Sequence, residues 1–189
     1  FAVQQALISN YSHYASATMA NVALFGTDGI RGRYGELLTE RLAERVAFAA
    51  GQLIPERSKV LVGRDTRASG PLLESAIVSG FTKSGHSVIR VGVIPTPGLA
   101  YLALESGIEL AVMITASHNP ASDNGIKIFG HDGMKIVDSI EVQIEKWVHS
   151  GAPLPEITTG KASDDREAVE RYARHLTNAI DTSLDGMTI

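Results

Sequence analysis

Three short segments carry the residue types that could do chemistry. The densest is T-A-S-H-N-P-A-S-D-N-G-I-K, from Thr115 to Lys127. A serine becomes a nucleophile when a base or a neutralising charge stands beside it. His118 and Lys127 could approach the same point as Ser117, the first as a donor and the second as a donor or base. Pro120 and Gly125 bend the segment while its flanks hold it. Taken alone, Ser117 also reads as a hydroxyl bonding its own backbone, and His118 as an ordinary loop hydrogen bond. The segment is not a G-x-S-x-G elbow, and no acid–His–Ser order can be defended. The second segment is G-R-D-T-R-A-S-G, Gly63 to Gly70. Arg64 and Arg67 beside a helix N-terminus suit an anion or phosphoester. Equally, Asp65 pairs with one of these arginines. The third is F-G-T-D-G-I-R-G, Phe25 to Gly32, with glycines three apart that permit close backbone approach. It matches neither the dinucleotide nor the P-loop pattern. Alone, it is a tight turn carrying Arg31.

The elements around these segments alternate between strand and helix. Thr39 caps a helix with Leu42, Val46, Ala49, Ala50 and Leu53 inward. Lys59 to Gly63 is a nearly all-apolar run, expected of a strand covered on both faces. A helix from Ser69 or Gly70 turns Leu72, Leu73, Ala76, Ile77, Gly80 and Phe81 inward and closes at Gly85. Ser87 to Val93 is the next strand. Pro95 and Pro97 open a helix that Gly107 stops, and Leu110 to Thr115 is a third buried strand. Such βαβ units form a parallel core with right-handed crossovers. The first and second segments thus leave the carboxyl ends of buried strands, where open α/β sheets bind ligands. Ile126 to Phe129 and Met134 to Val137 read as a hairpin around Gly130 to Gly133. Asp138 with Glu141 caps a helix bearing Ile140, Ile144, Trp147 and Val148.

The expected organisation is an extension over 1–18, a domain over 19–150 that begins naturally at Met19, a linker over 151–163, and the start of a truncated second domain over 164–189. In the last part Asp164 and Glu167 cap a helix striped by Val169, Tyr172, Leu176 and Ile180, and Gly186 to Ile189 begins a strand. The 189 residues are 44% hydrophobic, which excludes a largely disordered chain. A net charge of -4 argues against nucleic acid or an anionic membrane as partner. With no cysteine, disulfides and thiolate chemistry are excluded, and a cytoplasmic location is expected. Six histidines show no metal-ligand spacing.

FGTDGIRG, GRDTRASG and TASHNPASDNGIKIFG, in this order and at these separations, resemble the first domain of the α-D-phosphohexomutases. The likeness spans Val22 to Val148, and the D-G-I-R-G and D-N-G-I-K-I-F-G segments look like the phosphoglucosamine mutase branch. The resemblance implies a three-layer α/β/α domain with a mixed, mainly parallel sheet, plus the first helix of a truncated second domain. It implies an isomerase that interconverts glucosamine 6- and 1-phosphate through a phosphoserine and a bisphosphate, towards cell-wall precursors. It implies Ser117 as the phosphoserine, with Arg31, His118 and Lys127 beside the transferring group and Arg64 and Asn119 towards substrate phosphate or loop orientation. It also implies Mg2+, held here only through the phosphate of Ser117, because the family's D-x-D-x-D-R loop does not occur in this chain. The expected partner is a phosphosugar, and the fragment alone is expected to be inactive. The alternatives are a phosphoglucomutase or phosphomannomutase, and a non-catalytic assembly module that hides its terminal stripe in a homodimer.

Overall fold

Alternate residues of the central strands are buried on opposite faces, so the sheet is covered on both sides. In the computed structural model, which describes residues 23–179 with 186 and 188, β2 (Lys59–Arg64) sends Val60 and Val62 into one core and Leu61 into the other. Likewise β4 (Leu110–Ile114) divides Leu110, Val112 and Ile114 from Ala111 and Met113. This is the period-two pattern of a pleated strand with two dry faces. The first core lies under α1 (Glu40–Gly51), α2 (Gly70–Lys83) and α4 (Asp138–His149). The second lies under α3 (Thr96–Ser106) and α5 (Ala168–Asn178). The expected three-layer α/β/α architecture is therefore present.

The sheet has six strands in the order β1-β5-β4-β2-β3-β6, with β1 at Ile30–Arg33, β3 at Ser87–Val93, β5 at Asp123–Gly130 and β6 at Lys161–Asp164. β2 pairs in parallel with β3 and β4, and β3 in parallel with β6. β5 runs antiparallel to both β4 and β1. The sheet is mixed and mainly parallel, as expected.

Local signals explain the helix ends. Thr39 accepts from the Leu42 N–H at 3.2 Å, and Gly107 closes α3 at φ +59. A methyl group on Gly80 would strike the Glu44 carbonyl, so this glycine lets α1 and α2 cross closely. Across α1 and α4, Phe48 meets Trp147 at 4.9 Å, and the Arg45 guanidinium lies 4.8 Å over the Trp147 ring.

Several expectations need correction. Met134 to Val137 is not a strand: the chain returns after Gly130 with a single bridge, Lys135 to Phe129, and two backbone bonds, from the Gly130 N–H to the Met134 carbonyl and from the Ile136 N–H to the Ile128 carbonyl. Asp138 does not cap α4; the N-cap is Val137, and Glu141 instead binds Lys135 at 3.0 Å. Asp164 does not cap α5 but, as the last residue of β6, binds Arg90 at 2.7 Å. The turn before α5 is closed by Asp165, which accepts from the Glu167 N–H. Leu53 and Leu72 face solvent, because Leu53 falls beyond the end of α1 and Leu73 takes the inward position on α2.

β6, Lys161–Asp164, extends the sheet from the last three residues of the stretch whose composition reads as a linker into the residue that follows it. The seat is set by Gly160, whose N–H donates to the Thr82 carbonyl at 2.8 Å. α5 lays Tyr172 against Gly98 and stacks His175 on Tyr101 at 3.9 Å, while Val169 and Leu176 stay half exposed. Residues 1–18, Met19, Ile180 and the expected strand near Gly186 to Ile189 fall outside the described residues, apart from positions 186 and 188. Among the described residues no helix is long and apolar enough to cross a membrane.

Candidate active site

Ser117 stands where burial ends. β4 and the two residues after it are buried, Thr115 at 4% exposure and Ala116 at 0%, and the chain then emerges at Ser117. Its backbone adopts φ +55, a left-handed conformation that costs an ordinary residue free energy and needs outside support. The support is a polar circuit. The Ser117 N–H donates to Thr115 Oγ1 at 2.9 Å, and that hydroxyl donates to Asp65 Oδ2 at 2.7 Å. Asp65 in turn accepts from Arg67 Nε at 3.0 Å, and Arg67 Nη2 donates to the Ser117 carbonyl at 2.9 Å.

β5 brings the other cation-bearing segment to the same end of the sheet. Arg31 on β1 is in register with Gly125, and Lys127 on β5 with Met113. The three strands approach closely because a methyl group on Gly29 would strike the Ile126 carbonyl, and one on Gly125 the Thr115 carbonyl. Asp28 joins the two cations: it pairs with Arg31 and lies 2.6 Å from Lys127 Nζ. Partial burial works against its ionisation, yet the Lys127 ammonium and the Arg31 guanidinium together hold the Asp28 carboxyl below its ordinary value. Lys127 is 12% exposed and Asp28 53%, so the cluster opens to solvent through the aspartate. Arg31 Nη1 reaches Asn119 Oδ1 at 3.5 Å, and Asn119 Nδ2 donates to Asp123 Oδ2 at 3.0 Å.

The expected residues thus fall in two groups. Ser117, His118 and Asn119 share one loop, with Ser117 Oγ 3.5 Å from His118 Nδ1, and Asn119 connects that loop to Arg31 and, through Asp28, to Lys127. Arg64 lies apart, with Nε 3.4 Å from Glu74 on α2. An open cleft of 620 Å³ is lined by Asp65, Arg67, Thr96, Thr115, Ser117 and Asn119 among others. Sequence reasoning passed over Asp28 and Thr115, and left open whether Asp65 pairs with Arg64 or Arg67; the partner is Arg67. The D-x-R spacing of Asp65 and Arg67 was the available signal.

Magnesium does not fit these residues by themselves. Among the described residues no three His, Asp or Glu side chains cluster for a metal. The nearby carboxylates are engaged, Asp65 with Arg67 and Thr115, Asp123 with Asn119, and Asp28 with its two cations. A hard octahedral ion needs more oxygen than this set leaves open.

The family model for phosphoglucomutase/phosphomannomutase, alpha/beta/alpha domain I, matches residues 22–153. The phosphoglucosamine mutase of Thermobifida fusca (strain YX) is 45% identical over 175 residues, covering 88% of this chain and 38% of that protein. That of Staphylococcus haemolyticus (strain JCSC1435) is 47% identical over 177 residues, covering 89% and 39%. The crystal structure of a putative phosphomannomutase from Thermus thermophilus superimposes with a TM-score of 0.71 at 29% identity, over 85% of this chain and 37% of that one. The chain therefore spans less than two fifths of the length of these relatives. Fold, segment order and sequence agree: the chain belongs to the phosphoglucomutase/phosphomannomutase family and carries its α/β/α domain I.

Proposed function

We propose that this chain is the phosphoryl-carrying part of a phosphoglucosamine mutase, with Ser117 as the carrier. One observation supports this above the others: Ser117 is exposed at the rim of a cleft while its backbone is locked in a left-handed conformation. A hydroxyl that bonded only its own loop would not need such a mounting. In the proposed reaction the Ser117 Oγ–P bond breaks as a sugar hydroxyl oxygen bonds phosphorus. The sugar hydroxyl proton passes to a base, and Oγ takes up a proton and leaves as the serine hydroxyl, which gives that proton up again in the return step. The resulting bisphosphate returns its other phosphoryl group to Oγ, and the sugar oxygen regains a proton. The chemistry asks for placement and charge neutralisation more than covalent assistance.

On this reading Arg31 and Lys127 supply positive charge near the transferring group, Lys127 as a donor because its ammonium is paired with Asp28. His118 donates to the phosphate, Asn119 orients the loop, and Arg64, tied to Glu74, orients its own segment. A magnesium ion would take only a Ser117 phosphate oxygen from this chain. Glucosamine phosphate is favoured over glucose or mannose phosphate because the relatives of 45–47% identity bear the name phosphoglucosamine mutase. The setting is the cytoplasm.

The test is the full-length protein, assayed with glucosamine, glucose and mannose phosphates. Ser117→Ala should abolish transfer and remove one phosphoryl group from the intact mass, and the isolated 189 residues should not turn over. Unchanged activity of Ser117→Ala refutes the carrier role. Faster turnover of glucose or mannose phosphate refutes the sugar assignment.

A further inference from the structure

We propose that Arg67 is a positioning residue for Ser117 and not a phosphate-binding one, an inference that rests on the carrier role of Ser117. The guanidinium has five N–H donors, and no acceptor. All five point at the chain itself. Nε binds Asp65 Oδ2 at 3.0 Å. Nη1 donates to the carbonyls of Pro120 at 2.6 Å and Asp123 at 3.0 Å. Nη2 donates to those of Ser117 and Asn119, both at 2.9 Å. The side chain is 11% exposed, and nothing is left to offer an anion in the cleft it lines.

What the five bonds achieve follows from where they end. Their four carbonyls run from Ser117, in the loop between β4 and β5, to Asp123, the first residue of β5, so one planar group fixes the outline of the exposed part of that loop. A planar fork does this where a flexible ammonium cannot, because the five directions are set together. The carbonyl of Ser117 is held by Arg67 and its N–H by Thr115, and both anchors meet at Asp65. The two peptide groups that determine the φ and ψ of Ser117 are thereby clamped from one carboxylate. The left-handed backbone at Ser117 is the conformation this clamp maintains. Arg67, Asp65 and Thr115 act on Oγ only through the backbone, so their effect belongs to the step in which Oγ must be in line with phosphorus.

Four variants of the full-length enzyme test this: Arg67→Ala, Arg67→Lys, Thr115→Val and the Arg67→Lys/Thr115→Val double, with Ser117→Ala as reference. Misplacing a reacting atom by about 1 Å costs on the order of 100-fold in rate. Arg67→Ala should therefore lower kcat about 100-fold, with KM for the sugar phosphate changed less than about threefold. Added guanidinium ion should restore part of the Arg67→Ala activity and none of the Ser117→Ala activity. Thr115→Val should lower kcat in the same manner, and the double variant should be no slower than the slower single, as for groups acting as one unit. Should Arg67→Ala fail to fold, the two other singles and their double decide the matter alone. A loss expressed in KM, or multiplicative losses in the double variant, overturns the positioning role. Wild-type kcat in the Arg67 variants with an inactive Ser117→Ala overturns it while leaving the carrier role intact. An active Ser117→Ala removes the carrier role itself.

Discussion

Replacing Gly125 with alanine tests the strand packing that holds the site. A methyl group there would strike the Thr115 carbonyl on one side and come within 2.8 Å of the Ile30 carbonyl and 3.2 Å of Arg31 Cγ on the other. The first two obstacles are backbone, so neither can swing aside as a flexible side chain would. Forcing a methyl into such space costs about 1–3 kcal/mol. Parting the strands also weakens the bond from the Thr115 N–H to the Gly125 carbonyl, now 3.0 Å, and its counterpart towards β1, at about 0.5–1.5 kcal/mol each. Against this, alanine restricts the unfolded chain and returns about 0.4–1 kcal/mol. The net loss should be about 2–4 kcal/mol, or a Tm lower by roughly 6–12 °C for a loss of about 3 kcal/mol in a chain of this size. Urea unfolding of the 189-residue chain, followed by circular dichroism, measures it. Gly35→Ala is the control: its φ is +84 with nothing within 4 Å of the added carbon, so only the backbone term of about 1 kcal/mol applies. A Gly125→Ala chain within about 0.5 kcal/mol of wild type, or less destabilised than Gly35→Ala, would refute the packing argument.

Two further outcomes concern the charges. Asp28 has a folded pKa below its unfolded value, so its stabilising contribution is present above that unfolded value, roughly pH 4, and is lost as pH falls through the folded one. Asp28→Asn should therefore be less stable than wild type at neutral pH, with the gap closing below about pH 4; a gap constant across roughly pH 2–7, measured by urea titration, contradicts the pairing with Lys127 and Arg31. Arg45 donates to the carbonyls of Val148 at 3.0 Å and Ala152 at 2.8 Å while stacked on Trp147, tying α1 to the end of α4. Arg45→Ala should cost about 1.5–3 kcal/mol of unfolding free energy, and Arg45→Lys should recover little of it because it lacks the fork; equal stability of all three proteins would show that α4 docks without it.

What could be read before any coordinates was the part dictated by burial. β2 and β4 declare themselves because both faces are apolar, and α1 and α3 because Thr39 and Gly107 terminate them by local chemistry. β1 (I-R-G-R) and β6 (K-A-S-D) do not, since as edge strands they bury little and owe their conformation to a neighbour. The same division runs through the site. Ser117, Arg31 and Lys127 stand in segments whose composition invites attention. Asp28 gains its place only when β1 docks beside β5, and Arg67 only when a loop distant in sequence presents its carbonyls. Arg64 looked as suitable as Arg67 in a linear reading. Strand geometry turns Arg64 to Glu74 and leaves Arg67 to the loop.

The antiparallel course of β5 also matters for how the molecule can move. Most loops at this end of the sheet lead from a strand into a helix, and any sliding of that helix tugs one end of the loop. The 115–122 loop leaves one strand and re-enters its immediate neighbour, so both of its feet stand on the same rigid floor. The helix that can still pull on it is α2, whose leading segment carries Asp65 and Arg67 and is bonded to the loop. Ser117 is thus carried by the sheet from both ends of its loop, and whatever docks against its Oγ must come to that end of the sheet.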